Sequence, residues 1–168
     1  MGDGLSGGGG VGPRGASEEW ASLAEADWRK ILDGERYRVA RVGGTERPFG
    51  GKYWKEGGAG VYKCAACCAP LFADGAKFFS SCGWPAFSEQ GSAGMVSEHE
   101  DRSHGMLRTE VRCQHCGSHL GHVFNDGPPP SGLRYCINSA SIVLDADGSM
   151  DDRPMTPEER LRAEEVGD

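Results

Sequence analysis

Cys64-Ala-Ala-Cys67 and Cys113-Gln-His-Cys116 are two Cys-x-x-Cys turns with 45 residues between them, and the use of their four sulfurs decides the fold. In each, the two-residue gap lets both sulfurs of one tight turn face a single ion. Zinc suits the resulting four-thiolate shell. It accepts soft sulfur ligands, imposes no redox chemistry and, with four cysteines around it, leaves no position open to substrate. The spacing predicts one structural zinc per chain on Cys64, Cys67, Cys113 and Cys116. A thioredoxin-like redox role for one pair requires a βαβ setting, and two such pairs together favour metal. Cys68 offers Cys64 a second partner at a three-residue gap, but the two-residue gap matches the other turn and leaves Cys68 as a small buried hydrophobe. His115, inside the second turn, is expected to face solvent.

Around this metal set, the 168 residues and 38% hydrophobic content suit a single domain. A net charge of −7 and a pI near 5.2 argue against nucleic acid and membrane surfaces as partners, since both call for a dense Lys/Arg field. Neutral substrates or other proteins are expected instead. Residues 1 to 15 lack the basic start and apolar run of a signal peptide, and no stretch is apolar enough to span a bilayer. Seven cysteines in such a chain fit metal ligation and redox chemistry in a reducing, cytoplasmic setting better than a disulfide framework. Organellar import is the alternative, opposed by the lack of Arg-rich amphipathic character at the start.

The composition divides the chain into a Gly-rich segment, residues 1–16, expected to be disordered, a folded domain over 17–146, and an acidic tail over 147–168. Ser17 is placed to cap a helix whose apolar positions are Trp20, Leu23, Ala24, Trp28, Ile31 and Leu32, with Gly34 to end it. Short β-prone runs follow: Val61 to Cys64, Lys77 to Phe79, Val111 to Cys113, His119 to Phe124 and Leu133 to Leu144. Glycine and proline breaks between them predict a mostly antiparallel sheet protein. Thr156-Pro157-Glu158-Glu159 offers a capping box for a last helix with only Leu161 and Val166 to bury, which reads as a solvated tail.

Two cysteines stand apart, Cys82 in Cys82-Gly83-Trp84-Pro85 and Cys136 in Arg134-Tyr135-Cys136-Ile137-Asn138-Ser139-Ala140. With Gly44-Thr45-Glu46-Arg47-Pro48-Phe49 and His119-Leu120-Gly121-His122-Val123-Phe124-Asn125-Asp126-Gly127, these stretches resemble the methionine-R-sulfoxide reductase family of the B type, from about Trp20 to Leu144. The resemblance implies a mainly β (α+β) fold of zinc-stapled antiparallel sheets, with an N-terminal helix and short peripheral helices, in the MsrB/Mss4-like class. It makes 17–146 the reductase domain. It implies that Cys136 is the nucleophile that takes the sulfoxide oxygen as a sulfenic acid, the first rung of the cysteine oxidation ladder. Cys82 then resolves it as a disulfide, and a thioredoxin-like dithiol protein restores both thiols. The substrates implied are oxidised proteins or peptides bearing methionine-R-sulfoxide.

The same resemblance places His119, His122 and Asn138 at the reacting centre, with one histidine as the acid that protonates the oxygen. Three residues apart, the histidines fall on opposite faces of a regular strand or together on a turn, and spacing does not choose. Trp84 is implied to face the substrate methyl group, with Arg134 and Asp126 as weaker substrate-binding candidates. A free thiol has a pKa of about 8.5, so Cys136 requires a polar or cationic neighbourhood, for which Arg134 and the histidines are candidates. Thr45 to Phe49 carries no obvious chemistry and is expected to pack around the site. The competing reading is a non-enzymatic zinc-bound β module that binds a protein or ligand. Such a module requires neither Cys82 nor Cys136.

Overall fold

Trp20 and Trp28 shape the N-terminal region of the computed structural model, which describes residues 18–55, 58–148, 150 and 153–167. In one continuous helix, residues eight apart lie about 12 Å apart along the axis. Here the two indoles meet with ring centroids 5.2 Å apart, because the helix is broken into α1 (Glu18–Ala21) and α2 (Glu25–Ile31). Ala24 sits between them in extended backbone, and the break folds the first turn back so that both tryptophans are buried. This corrects the expected single helix. Its end differs too: α2 stops at extended Leu32, and Gly34 opens the short α3 (Gly34–Arg36), which runs into a π-helical turn, Tyr37–Arg41. The proposed cap, Ser17, lies outside the described residues, as does the segment 1–16.

Nine strands follow: β1 (Val61–Cys64), β2 (Pro70–Ala73), β3 (Lys77–Phe78), β4 (Ala86–Phe87), β5 (Val96–Asp101), β6 (Arg108–Cys113), β7 (His119–Phe124), β8 (Arg134–Ile137) and β9 (Ile142–Asp145) among the described residues. They form two antiparallel sheets, in the orders β9-β1-β2 and β3-β4-β8-β7-β6-β5. The apolar run from Leu133 to Leu144 is thus two strands in different sheets. A 3₁₀ turn, Ser139–Ser141, carries the chain from one sheet to the other. An aromatic stack pins the sheets together. Tyr62 of β1 and Phe72 of β2 meet Phe87 of β4 at 5.1 and 4.4 Å, and Phe72 meets Tyr135 of β8 at 5.7 Å between ring centroids. Each such fully buried ring contributes about 1.5–3 kcal/mol of apolar transfer.

One ion pair is sealed into this structure: Lys63 Nζ lies 3.1 Å from Asp145 Oδ2, with 0% and 4% of the side chains exposed. The C-terminal segment also differs from expectation. Thr156 and Glu159 form the capping box, with Glu159 N–H on Thr156 Oγ1 at 3.1 Å and Thr156 N–H on Glu159 Oε1 at 2.9 Å. The helix α4 (Pro157–Gly167) is not a solvated tail, because Leu161 packs against the core and the residues leading into it are tied down. Trp20 donates to the Met155 carbonyl at 2.9 Å, and Met155 N–H donates to the Cys67 carbonyl at 2.8 Å. The side chain of Val166 lies outside the description.

Candidate functional site

The two Cys-x-x-Cys turns are built alike. Cys68 N–H returns to the Cys64 carbonyl at 2.9 Å and Gly117 N–H to the Cys113 carbonyl at 2.8 Å, and both returning residues are left-handed, with φ of 65° and 84°. Cys68 thus occupies the position that glycine fills in the second turn, is buried, and lies outside the sulfur cluster. Cys64, Cys67, Cys113 and Cys116 bring their sulfurs within 4.8 Å of one another, and the pairs Cys64/Cys116 and Cys67/Cys113 are each 3.6 Å apart. A tetrahedral shell with Zn–S of about 2.3 Å has sulfur–sulfur edges of roughly 3.8 Å, so the donor set fits a metal ion of that kind. Four thiolates at this spacing require a cation among them to offset their mutual repulsion. His115 takes no part in the cluster. It is half-buried rather than solvent-facing, with Nε2 enclosed.

On the six-stranded sheet, Cys136 of β8 lies between Ala86 of β4 and His122 of β7 in register. Its Sγ is 3.7 Å from Cys82 Sγ, which the loop before β4 presents. A cavity of about 210 Å³ opens over this pair, walled by Trp84, His122, Phe124, Arg134, Asn138 and Thr45 among others. Close strand approach demands the glycine beside it: a Cβ at Gly121 would come 2.0 Å from the Cys136 carbonyl oxygen. Burial pushes the Cys136 thiol up to about 12, helped by the neighbouring Cys82, while the Arg134 charge works the other way. Burial also acts to raise Cys82, but hydrogen bonding at Ser80, Trp84 and Cys136 outweighs it and holds that thiol below its ordinary value.

A β-bulge brings the histidines together. β7 pairs with β6 as Gly121 to Val111 and then His119 to Arg112, so the alternation of faces slips by one residue. His119 and His122 therefore share a face, with ring centroids 5.6 Å apart. His122 lines the cavity, with Nε2 2.7 Å from Asp101 Oδ2. His119 lies behind it, its Nδ1 2.6 Å from Glu110 Oε2 and its Nε2 enclosed without a hydrogen-bonding partner among the described residues. Burial lowers the pKa of His122 more than Asp101 raises it. Asp101 is itself held well below the usual carboxylate range, first by the His122 hydrogen bond.

Asn138 spends its amide on the scaffold: Oδ1 accepts from Glu46 N–H at 3.0 Å and Nδ2 donates to the Leu120 carbonyl at 3.0 Å. The Trp84 indole N–H donates to the Glu46 carbonyl at 3.1 Å. Arg134 holds Asp126 in a two-point ion pair at 2.9 and 3.2 Å, with its guanidinium over the Phe124 ring. Arg134 walls the cavity, while Asp126 is mostly exposed, lies outside the cavity wall and pairs with Arg134. The sequence did not single out Asp101, Glu110, Glu46 or Arg108, the last of which walls the cavity and lies 3.5 Å from Asp101 Oδ2. Val96-Ser97-Glu98-His99-Glu100-Asp101 shows no apolar alternation in sequence; the alternation of β5 is one of burial in the folded sheet.

A SelR domain matches residues 32–146 of the chain. Among similar proteins, one from Agrobacterium fabrum named peptide methionine sulfoxide reductase MsrB is 56% identical over 122 residues, covering 73% of this chain and 90% of that protein. Proteins of the same name from Herminiimonas arsenicoxydans and Thiobacillus denitrificans are 56% and 58% identical, over 73% and 70% of this chain and 89% of each relative.

Proposed function

The chain belongs to the SelR-domain family of peptide methionine sulfoxide reductases, MsrB, and we propose that it reduces methionine-R-sulfoxide, mainly in proteins and peptides, to methionine. The observation that carries this reading is the 3.7 Å between Cys136 and Cys82 sulfurs at a cavity large enough for one side chain. A binding module has no use for two thiols so placed.

The Cys136 thiolate attacks the sulfoxide sulfur and forms a sulfur–sulfur bond as the oxygen takes up a proton; the hydroxyl then passes to the Cys136 sulfur while the sulfur–sulfur and original sulfur–oxygen bonds break, leaving Cys136 sulfenic acid and methionine. The raised pKa of Cys136 is the reverse of the thiolate-supplying neighbourhood expected from the sequence: burial outweighs the Arg134 charge, little thiolate stands ready at neutral pH, and the attack depends on the proton leaving the thiol. The thiol proton is the one the oxygen must receive, and a thiolate of high pKa is the stronger nucleophile once formed. His122, the cross-strand neighbour of Cys136, relays that proton, with Asp101 holding the ring. His119, fixed by Glu110, backs His122. Trp84 supplies an apolar face for the substrate methyl, Asn138 and Arg134 border the reacting centre, and Asp126 steadies Arg134.

The Cys82 thiol then attacks the sulfenic acid, releasing water and forming a Cys82–Cys136 disulfide. A disulfide bond is about 2.05 Å, so the sulfurs close by less than roughly 2 Å, within the reach of side-chain rotation. A thioredoxin-like dithiol protein reduces the disulfide by exchange. Zinc on Cys64, Cys67, Cys113 and Cys116 supplies structural support and no step of the reaction. Residues 17–146 form the reductase domain, with α4 as a C-terminal strap. No helix among the described residues is long and apolar enough to cross a membrane, and the free thiols suit protein repair in the reducing cytoplasm.

The test offers each sulfoxide epimer separately with a dithiol reductant. Consumption of the R form alone is expected; consumption of the S form, or of neither, overturns the reading.

A further inference from the structure

Glu46 is buried at 5% exposure on the loop that precedes the sheets, in a stretch to which the reaction assigns no role. Three different groups of this one residue reach three parts of the site. Its N–H donates to Asn138 Oδ1 at 3.0 Å, and its carbonyl accepts the Trp84 indole N–H at 3.1 Å. Its carboxylate accepts the backbone N–H groups of Ser139 and Ala140 at 2.8 and 2.9 Å. Those two donors open the 3₁₀ turn immediately after Asn138, two residues beyond Cys136, where unpaired N–H groups attract an anion.

Phe49 N–H donates to the Gly83 carbonyl at 2.8 Å and Arg38 Nη2 donates to the Thr45 carbonyl at 3.1 Å, but neither bond anchors the Glu46 loop to the turn after Cys136. The carboxylate supplies that anchor, more than ninety residues away in sequence. Gly51 shows how closely the two are fitted. A Cβ there would come 2.5 Å from Glu46 Oε2 and 2.5 Å from Ser139 Oγ, so the loop returns past the carboxylate with no room for a side chain. Ser139 Oγ accepts Tyr53 N–H at 3.0 Å on the same side and continues the clamp.

We propose that Glu46 is a positioning residue: its carboxylate locks the 44–51 loop onto the turn after Cys136 and thereby holds Trp84 and Asn138 in the geometry that receives the sulfoxide. The proposal rests on the reading of the cavity as the sulfoxide site. The two carboxylate oxygens accept one N–H each, whereas the amide of glutamine presents a donor to one of the two N–H groups, so Glu46→Gln loses half of the clamp at nearly constant shape. Trp84 and Asn138 then drift, and a misplacement of about 1 Å costs on the order of a hundredfold where positioning matters.

The experiment compares wild type, Glu46→Gln, Gly51→Ala, Trp84→Phe and the Glu46→Gln/Trp84→Phe double variant, in the full chain, on N-acetylmethionine-R-sulfoxide with dithiothreitol. Far-ultraviolet circular dichroism establishes folding, and Ile142→Val serves as a destabilised control away from the cavity. Expected are a loss in kcat/KM of at least tenfold for both Glu46→Gln and Gly51→Ala, an unchanged value for Ile142→Val, and a double variant that loses less than the product of its single losses. Gly51→Ala carries the test if Glu46→Gln does not fold, since it displaces the carboxylate without removing it. Wild-type kcat/KM in a folded clamp variant, or fully multiplicative losses with Trp84→Phe, overturns the proposal. An inactive wild type instead overturns the reading of the site on which it rests.

Discussion

Cys82 Sγ and Cys136 Sγ stand 3.7 Å apart, one half-buried on a loop and the other on a central strand, yet their acidities diverge: burial drives Cys136 to about 12, while hydrogen bonding at Ser80, Trp84 and Cys136 keeps Cys82 below its ordinary value despite burial. Cys82 is therefore the more acidic thiol of the pair. Brief alkylation with iodoacetamide at pH 7.5 is expected to label Cys82 before Cys136 by peptide mass spectrometry, since thiolate fraction governs the rate. Preferential labelling of Cys136 contradicts this order.

The same pair divides the catalytic cycle. Cys136→Ser is expected to abolish reduction of methionine-R-sulfoxide. Cys82→Ser is expected to consume one equivalent and then stall when a thioredoxin-like protein is the only reductant. Sustained thioredoxin-driven turnover by Cys82→Ser removes Cys82 from the cycle.

His122 and Cys136 hold one proton between them across the working range, since the histidine is lowered from 6.5 and the thiol is raised to about 12. Thiol with neutral imidazole and thiolate with imidazolium contain the same number of protons. kcat/KM is therefore expected to be flat through neutral pH and to fall as pH drops through the His122 pKa, below 6.5. Asp101 raises that pKa, so Asp101→Asn shifts the acid limb to lower pH and lowers the plateau. A limb that does not move removes Asp101 from this role.

Glu110 is held at about 2 because hydrogen bonds from His119 and Arg112 overcome the opposing effect of burial. A carboxylate lowered by folding contributes stability above its ordinary pKa, and that contribution is lost as pH falls through the folded value. The urea midpoint of the wild type should accordingly decline between 4.5 and about 2, and Glu110→Gln should flatten that part of the decline. An identical pH slope in the variant refutes the assignment.

Lys63 and Asp145 give a test of buried charge. Asp145→Ala takes a carboxylate from the buried Lys63 ammonium, which still donates to the Met150 carbonyl at 3.2 Å, and is expected to lower the urea midpoint. Lys63→Met with Asp145→Leu removes both charges and is expected to lose far less. If the double variant is the less stable of the two, the pair is more than a compensated charge.

Metal analysis should find one zinc per chain, and chelation should unfold the protein, because binding energy at a four-cysteine site is folding energy. A folded, active, metal-free sample contradicts the structural role.

The strands nearest the metal turns were the most legible. Val61–Cys64 and His119–Phe124 have the bounds expected from their β-branched and aromatic content. Pro70–Ala73 was missed because proline reads as a break, although at the first residue of a strand it is tolerated. β5 was missed because Ser, Glu, His and Asp carry no strand propensity; it is an edge strand that pairs on one side with β6. Asp101 and Glu110 went unnoticed for a related reason. A carboxylate on a strand reads as solvated surface until a histidine from another strand is known to face it.

The sequence by itself determined the four-cysteine set and the motifs around Cys82 and Cys136, because a Cys-x-x-Cys turn is local geometry and its chemistry follows from residue type and spacing. It left open which face the histidines share, what holds them, how deeply Cys136 is buried and what Thr45 to Phe49 does. Tertiary structure decided those. The bulge that unites His119 and His122 exists only in the pairing of β7 with β6, the acidity of Cys136 depends on groups from separate strands and loops that exclude water, and the Glu46 carboxylate meets its donors only when distant segments close on each other.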